Sequence, residues 1–247
     1  MAGHSKWKNI RLQKGKADII RGKLFGKLSR EITIAAKMGG GVVDSNPRLR
    51  LAVEKARSSS MPADNIKRAI QKGTGELGGA EYEEITYEGY GPGGVAVLVE
   101  AATDNRNRTV ADLRHLFSKH GGNLGENGSV AWQFARTGIL TIPTEGNDED
   151  ALLEAVLEAG GDDLENGGEN FEITATPDVL SDVRAALEAQ GFTVTSEEVT
   201  MVAQNKLQPD TAQSTQLLKL LDAIEDHDDV QNVATNAEFD DAFLENA

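Results

Sequence analysis

The chain has 247 residues, with 25 Lys and Arg against 40 Asp and Glu, a formal net charge of −15, 39% hydrophobic content and no cysteine. That is material for two or three domains with cores of their own, and it excludes disulfides, thiolate metal sites and Cys nucleophiles. No stretch approaches about 20 apolar residues and the N-terminus lacks an apolar signal core, so a soluble, cytoplasmic protein without a membrane span is expected.

The charge is divided along the chain. The first 72 residues hold 17 of the 25 cations, 10 Lys and 7 Arg, but only 5 of the 40 acids. A basic segment on an acidic body implies a polyanion held at one end; a solvated Lys-rich helical domain is the alternative reading. His4-Ser5-Lys6-Trp7-Lys8-Asn9-Ile10-Arg11 sets an indole between cations. This suits a ring stacking on a base or sugar while Lys6, Lys8 and Arg11, with Lys14 and Arg21 beyond, meet phosphates, although a Trp here also serves as a core plug.

The spacing predicts a helix over 23–38. At roughly 100° per residue, Lys23, Lys27, Arg30 and Lys37 fall within an arc of about 80°, and Leu24, Phe25, Leu28, Ile32, Ala35 and Ala36 take the opposite side. Only Ile34 departs from that division. Gly39-Gly40-Gly41 ends the helix. Asn46-Pro47 starts the next one, with Leu49, Ala52, Val53 and Ala56 inward and Arg48, Arg50, Lys55 and Arg57 outward. Pro62 opens another, with Ile66, Ala69 and Ile70 inward, Lys67, Arg68 and Lys72 outward, and Gly73 as the stop. Residues 1–78 therefore read as a basic helical domain. Its Lys excess favours point contacts to phosphate over bidentate guanine readout, and no helix-turn-helix, zinc-finger or basic-zipper spacing is visible.

Residues 73–80 match G-x-G-x-x-G, but the run follows a helix and precedes a strand, the reverse of a dinucleotide site, so no cofactor is expected. Gly89-Tyr90-Gly91-Pro92-Gly93-Gly94 joins β-rich runs at 84–88 and 95–101 and reads as a hairpin turn, with a phosphate nest as the alternative. A helix over 106–119 and a strand over 129–134 follow. From Gly138 the pattern restarts as strand 139–142, helix 148–159, short strand 163–165, strand 171–176, helix 179–190 and a strand near 192–202, a β-α-β-β-α-β, ferredoxin-like plan. A helix over 211–226 and a strand over 230–235 would complete the middle domain. The fold class is thus α+β: a helical domain followed by two α/β domains, the third inserted into the second. The boundaries are 1–78, 79–137 plus 208–247, and 138–207. The last 109 residues carry 26 acids against Arg184, Lys206 and Lys219. That composition repels nucleic acid and favours protein partners or solubility.

Catalytic motifs are missing. His4, His115, His120 and His227 show no metal-ligand spacing, and the acid run around His227 reads first as a solvated helix end. No nucleophile elbow or P-loop occurs, so a non-enzyme without cofactor or metal is expected. One polar cluster stands out, Asp104-Asn105-Arg106-Asn107-Arg108-Thr109. Asp104 or Asn105 can cap the helix, and Arg106 and Arg108 offer a secondary phosphate or acidic contact.

These residues also carry a resemblance that spans nearly the whole chain. Ala2-Gly3-His4-Ser5-Lys6-Trp7, Arg21-Gly22-Lys23 with Phe25 and Lys27, Asn46-Pro47-Arg48-Leu49 and Met61-Pro62 with Asn65-Ile66 carry it in the first domain. Tyr87 to Gly94, Asp104 to Thr109 and Gly128-Ser129-Val130-Ala131-Trp132 extend it through the middle one. The sequence resembles the YebC/PmpR family, described as transcriptional regulators and similar to mitochondrial translational activators. The resemblance implies a helical domain followed by two α/β domains, and a cytoplasmic regulator without enzymatic activity. The leading expectation is a DNA-binding transcriptional regulator. The alternatives are a translation factor on ribosomal RNA or the ribosome, and an adaptor whose acidic domains bind protein.

Overall fold

The structure, a computed structural model, describes residues 17–78, 81–240 and 243–244, with side chains from Gly22 onward. Two compact units are present. One holds the described residues up to 131 together with 210–233, and the other holds 132–209 and the described residues from 234 on. The helical region and the first sheet therefore share a unit, with chain crossings at 131/132 and 209/210 beside those expected at 137/138 and 207/208.

The first unit opens with α1 (Ala17–Gly39), α2 (Pro47–Ser58) and α3 (Ala63–Gly73). Asn46 fixes the corner between the first two. Its Oδ1 accepts from the Leu49 N–H at 3.1 Å, as an N-cap should, and its Nδ2 donates to the Ala35 and Gly40 carbonyls at 2.8 and 2.9 Å. Leu28, Ile32, Ala35 and Ala36 of α1 form one core with Leu49, Ala52, Val53 and Ala56 of α2 and with Met61, Ile66 and Ala69. Ile34, off that side, is buried as well.

The chain continues through β1 (Glu83–Tyr90), β2 (Ala96–Thr103), α4 (Arg106–Lys119) and β3 (Asn123–Leu124). β1 and β2 are an antiparallel hairpin in register from Glu83 opposite Thr103 to Tyr90 opposite Ala96. The glycine run is its turn: the Gly91 N–H donates to the Val95 carbonyl at 2.8 Å, and Gly93 and Gly94 have φ of 77° and 75°.

The strand expected over 129–134 does not form. Residues 131–133 make a 3-10 turn and the next strand, β4 (Phe134–Pro143), absorbs the separate strand expected over 139–142. The N–H groups of Gly128, Val130 and Ala131 are turned onto the buried Glu88 carboxylate instead of a strand ladder, at 2.6, 2.7 and 2.7 Å. Trp132 follows this anchor and is 68% exposed.

After β4 come α5 (Glu149–Glu158), β5 (Asp163–Asn166), β6 (Asn170–Ala175), α6 (Leu180–Ala189) and β7 (Ser196–Ala203). This is the β-α-β-β-α-β succession expected. The sheet order is β5-β6-β4-β7, every pair antiparallel. Leu140, Ile142, Phe171 and Ile173 pack there against Leu152 and Val156 of α5 and Leu180, Val183 and Leu187 of α6. The chain then returns through α7 (Thr211–Glu225) to β8 (Val230–Thr235), which joins the first sheet in the order β3-β1-β2-β8.

Candidate nucleic-acid interface

The cations singled out in the sequence fall into three groups. Lys6, Trp7, Lys8, Arg11 and Lys14 lie outside the described residues, and Arg21 is described in backbone only.

A second group is already engaged with the protein's own acceptors. Lys23, Lys27 and Arg30 do lie along one side of α1, and that side meets the C-terminal end of α7. Lys23 Nζ donates to the Asp226 carbonyl at 3.2 Å and sits 3.8 Å from its carboxylate. Lys27 Nζ donates to the Glu225 carbonyl at 2.5 Å. Arg30 donates through Nη1 to the Asp228 carbonyl, approaches Asp229 at 3.7 Å, and lies over the Tyr82 ring at 5.7 Å. A helix C-terminus carries unsatisfied carbonyls and the negative end of the macrodipole, so three cations suit it. Lys37, further along the arc, faces Glu81 at 3.6 Å with both side chains exposed. Arg48 is forked between Glu84, at 2.5 and 2.9 Å, and Glu31, at 2.9 and 3.2 Å. The bond to Glu84 leads in raising its pKa, against burial, which acts to lower it.

Arg108 belongs here too. Asn105 caps α4 by accepting from the Arg108 N–H at 3.1 Å, and the Arg108 guanidinium donates to Asp104 at 2.9 Å and to Asp229 at 2.8 Å. Asp229 is 3% exposed and also accepts from the Thr109 and Thr103 hydroxyls at 2.8 and 3.2 Å. Burial alone would raise its pKa, but Arg108 and the two hydroxyls outweigh that and hold it below its ordinary value.

The third group consists of Arg50, Arg57, Lys67, Arg68 and Arg106, together with Lys72. Their side chains form no hydrogen bond or ion pair among the described residues. Arg50 is half-buried and the others are exposed. Arg50 and Arg57, seven residues apart, share one side of α2; Arg68 and Lys72, four apart, share one side of α3. Those helices share a core, and their outer sides carry positive charge that is uncommitted among the described residues.

Two functional-looking carboxylates escape a reading of the sequence. Glu88 sits at an apparent strand end and Asp229 inside an acid run that reads as a helix end. The available signal is local: a Gly-Ser-Val-Ala segment able to offer N–H donors, and the Thr103 and Thr109 pair flanking Arg108. His227, within the same acid run, accepts the Asp229 N–H at Nδ1 at 3.2 Å, with Asp112 3.3 Å from its Nε2. Among the described residues, no group of three or more His, Asp or Glu is placed to hold a metal ion, and no helix is long and apolar enough to cross a membrane.

The patterns that define the TACO1/YebC protein N-terminal domain and the TACO1/YebC second and third domain match residues 5–76 and 82–237. The chain belongs to the TACO1/YebC family. A protein of Desulforapulum autotrophicum named probable transcriptional regulatory protein is 52% identical over 98% of each chain. One of Koribacter versatilis with the same name is 53% identical over 99% of this chain and 98% of its own. The crystal structure of a conserved hypothetical protein from Aquifex aeolicus superposes with a TM-score of 0.84 at 46% identity, over 92% of this chain and 93% of that one. The family match spans the helical region and both sheets, so the fold expected from the sequence, helices first and two sheets after, is the fold observed.

Proposed function

We propose that this chain is a non-enzymatic regulatory protein that binds nucleic acid by its phosphates, with duplex DNA as the target in the leading reading. The observation that carries it is the contrast within one unit: Arg50, Arg57, Lys67, Arg68 and Lys72 have no hydrogen-bond or ion-pair partner among the described residues, while most other described cations of the helical region do. Cations left without acceptors on two neighbouring helices suit a polyanion. The names of the relatives, probable transcriptional regulatory protein, favour DNA among polyanions and a regulatory outcome of binding. Lys6, Trp7, Lys8, Arg11 and Lys14 are further candidate contacts by residue type, and Arg106 is a separate point. Such a set carries affinity more than sequence readout, because phosphate contacts position a protein without reading bases.

A second reading, a folded RNA such as that of the ribosome, is favoured by one observation. α1, the longest described helix, has its basic side against α7 and so does not offer a free helix to a major groove. Competition separates the two. Cosedimentation of the intact protein with ribosomes at physiological salt, undiminished by excess duplex, would favour RNA. Retention on duplex DNA with footprints at particular promoters would favour transcriptional control. Retention on neither would overturn the proposal.

A further inference from the structure

The end of α7 offers to α1 what a nucleic-acid backbone would. Over the five residues 225–229, its last residue and the four that follow, it presents the carbonyl oxygens of Glu225, Asp226 and Asp228 and the carboxylates of Asp226 and Asp229 to Lys23, Lys27 and Arg30. The three cations extend over about 10 Å of α1. Duplex DNA carries one charge per about 1.7 Å, so several phosphates fit against that length.

The outer part of this pairing is loosely held. The Lys23 side chain is 42% exposed and that of Asp226 is 60% exposed, so water and salt screen this pair. The inner part is incompletely satisfied: Arg30 Nε is buried with no hydrogen-bond partner. Meanwhile α1 is fixed by its apolar side, through Leu28, Ile32, Ala35 and Ala36. Its backbone can therefore stay in place while the flexible stems of Lys23 and Lys27 turn from one set of oxygens to another.

We propose that Lys23, Lys27 and Arg30 form a second nucleic-acid-binding face, and that the acidic end of α7 masks it as an internal stand-in for phosphate. The proposal rests on the nucleic-acid reading above. Binding then proceeds in two stages: phosphates first meet the free cations of α2 and α3, and at high local phosphate density displace the α7 acceptors from α1. The mask sets a threshold that weak, isolated polyanion encounters do not pass.

The test is a cycle of charge variants in the full chain, with affinity for a mixed-sequence DNA duplex and for a folded RNA measured by fluorescence anisotropy across salt concentrations. E225Q/D226N/D228N removes the Asp226 carboxylate and the two charges beside it, keeps the backbone carbonyl acceptors, and leaves Asp229 in place. E154Q/E158Q/D182N makes the same change in net charge on α5 and α6 as a control. K23Q/K27Q/R30Q is made in both the native and the E225Q/D226N/D228N backgrounds, with circular dichroism checking each fold. The expected result is a gain of about fivefold or more for E225Q/D226N/D228N, with a steeper salt dependence, well above the control. Adding K23Q/K27Q/R30Q should cancel that gain, while in the native background, where the mask offsets most of what the face contributes, it should lower affinity by clearly less. A gain no larger than the control's, or one that survives removal of the three cations, overturns the masked face and leaves the α2 and α3 reading intact. Absence of binding by every variant and by the native chain overturns both.

Discussion

Arg108 donates to the buried carboxylate of Asp229 at 2.8 Å from a position 121 residues earlier in the chain. Through that one acceptor the start of α4, the end of β2 and the segment before β8 are held together, since Thr103 and Thr109 donate to the same oxygen. Asp229→Ala removes three donors' common partner and leaves two buried hydroxyls competing for the remaining acceptors. A loss of about 2–4 kcal/mol in urea unfolding is expected. Asp229→Asn keeps the size but turns an amide toward donors, so it should recover only part of that. A change within error of zero for the Ala variant would mean that the network contributes orientation without stability.

Glu88 makes a prediction in pH. Burial pushes its carboxyl up, but the N–H groups of Gly128, Val130, Ala131 and Ser129 together outweigh this and hold it below its ordinary value of 4.5. Asp229 is likewise held below 3.8. A carboxylate with a lowered folded pKa contributes stability that is fully present above its unfolded pKa and is lost as pH falls through the folded one. Stability should therefore be level above about pH 5 and decline on acidification below it. Glu88→Gln should lower stability at neutral pH and make the acid decline shallower. Chemical denaturation at a series of pH values checks both, and an unchanged decline would assign acid sensitivity to other groups.

What can be read from the sequence is local. The Asn46-Pro47 pair carries its own cap chemistry, so the start of α2 falls where expected; so do the bounds of α4, set by Asn105 before and the glycine pair after. The basic arc of α1 is legible as an arc because periodicity says which residues share a side. Periodicity says nothing about what that side faces, and the partners of Lys23, Lys27 and Arg30 lie 203, 198 and 198 residues away. The same limit hides Glu88, whose donors are 40 to 43 residues on. It also turns residues 129–131, apolar enough for a strand, into a carboxylate anchor. Acid runs look solvated in a sequence because desolvation depends on the fold.

Gly73 tests the packing of α3 on α1. The sequence marks it as a helix stop; it lies inside the last turn of α3, and a Cβ there would overlap the Thr33 carbonyl and lie 2.7 Å from the Ala36 Cβ. Both neighbours belong to α1 and neither is the end of a flexible side chain. Gly73→Ala should therefore lower the melting temperature even though alanine favours a helix, with a destabilisation of about 1–3 kcal/mol. An equal or higher melting temperature would show that the two helices can separate freely at that end.

The last prediction concerns Arg50, Arg57, Lys67, Arg68 and Lys72. Changing all five to Gln removes charge from the outer sides of α2 and α3 without touching the Leu49, Ala52, Val53, Ile66 and Ala69 core. Four of the five are exposed and Arg50 is half-buried; exposed substitutions shift stability by within about 0.5 kcal/mol each, so circular dichroism should stay native and any fall in the melting midpoint should trace to Arg50. Binding to duplex DNA and to folded RNA should fall for every sequence tried, because phosphate contacts carry no sequence information. The slope of log affinity against log salt should flatten by about 3.5 to 4.5, taking roughly 0.7 to 0.9 for each phosphate that is no longer neutralised. A variant of Arg48 is a useful contrast: its charge is already committed to Glu31 and Glu84, so Arg48→Gln should disturb stability more than the salt slope. If the five-residue variant binds with native affinity and native slope, the uncommitted cations of α2 and α3 are a solvated surface and do not carry the binding.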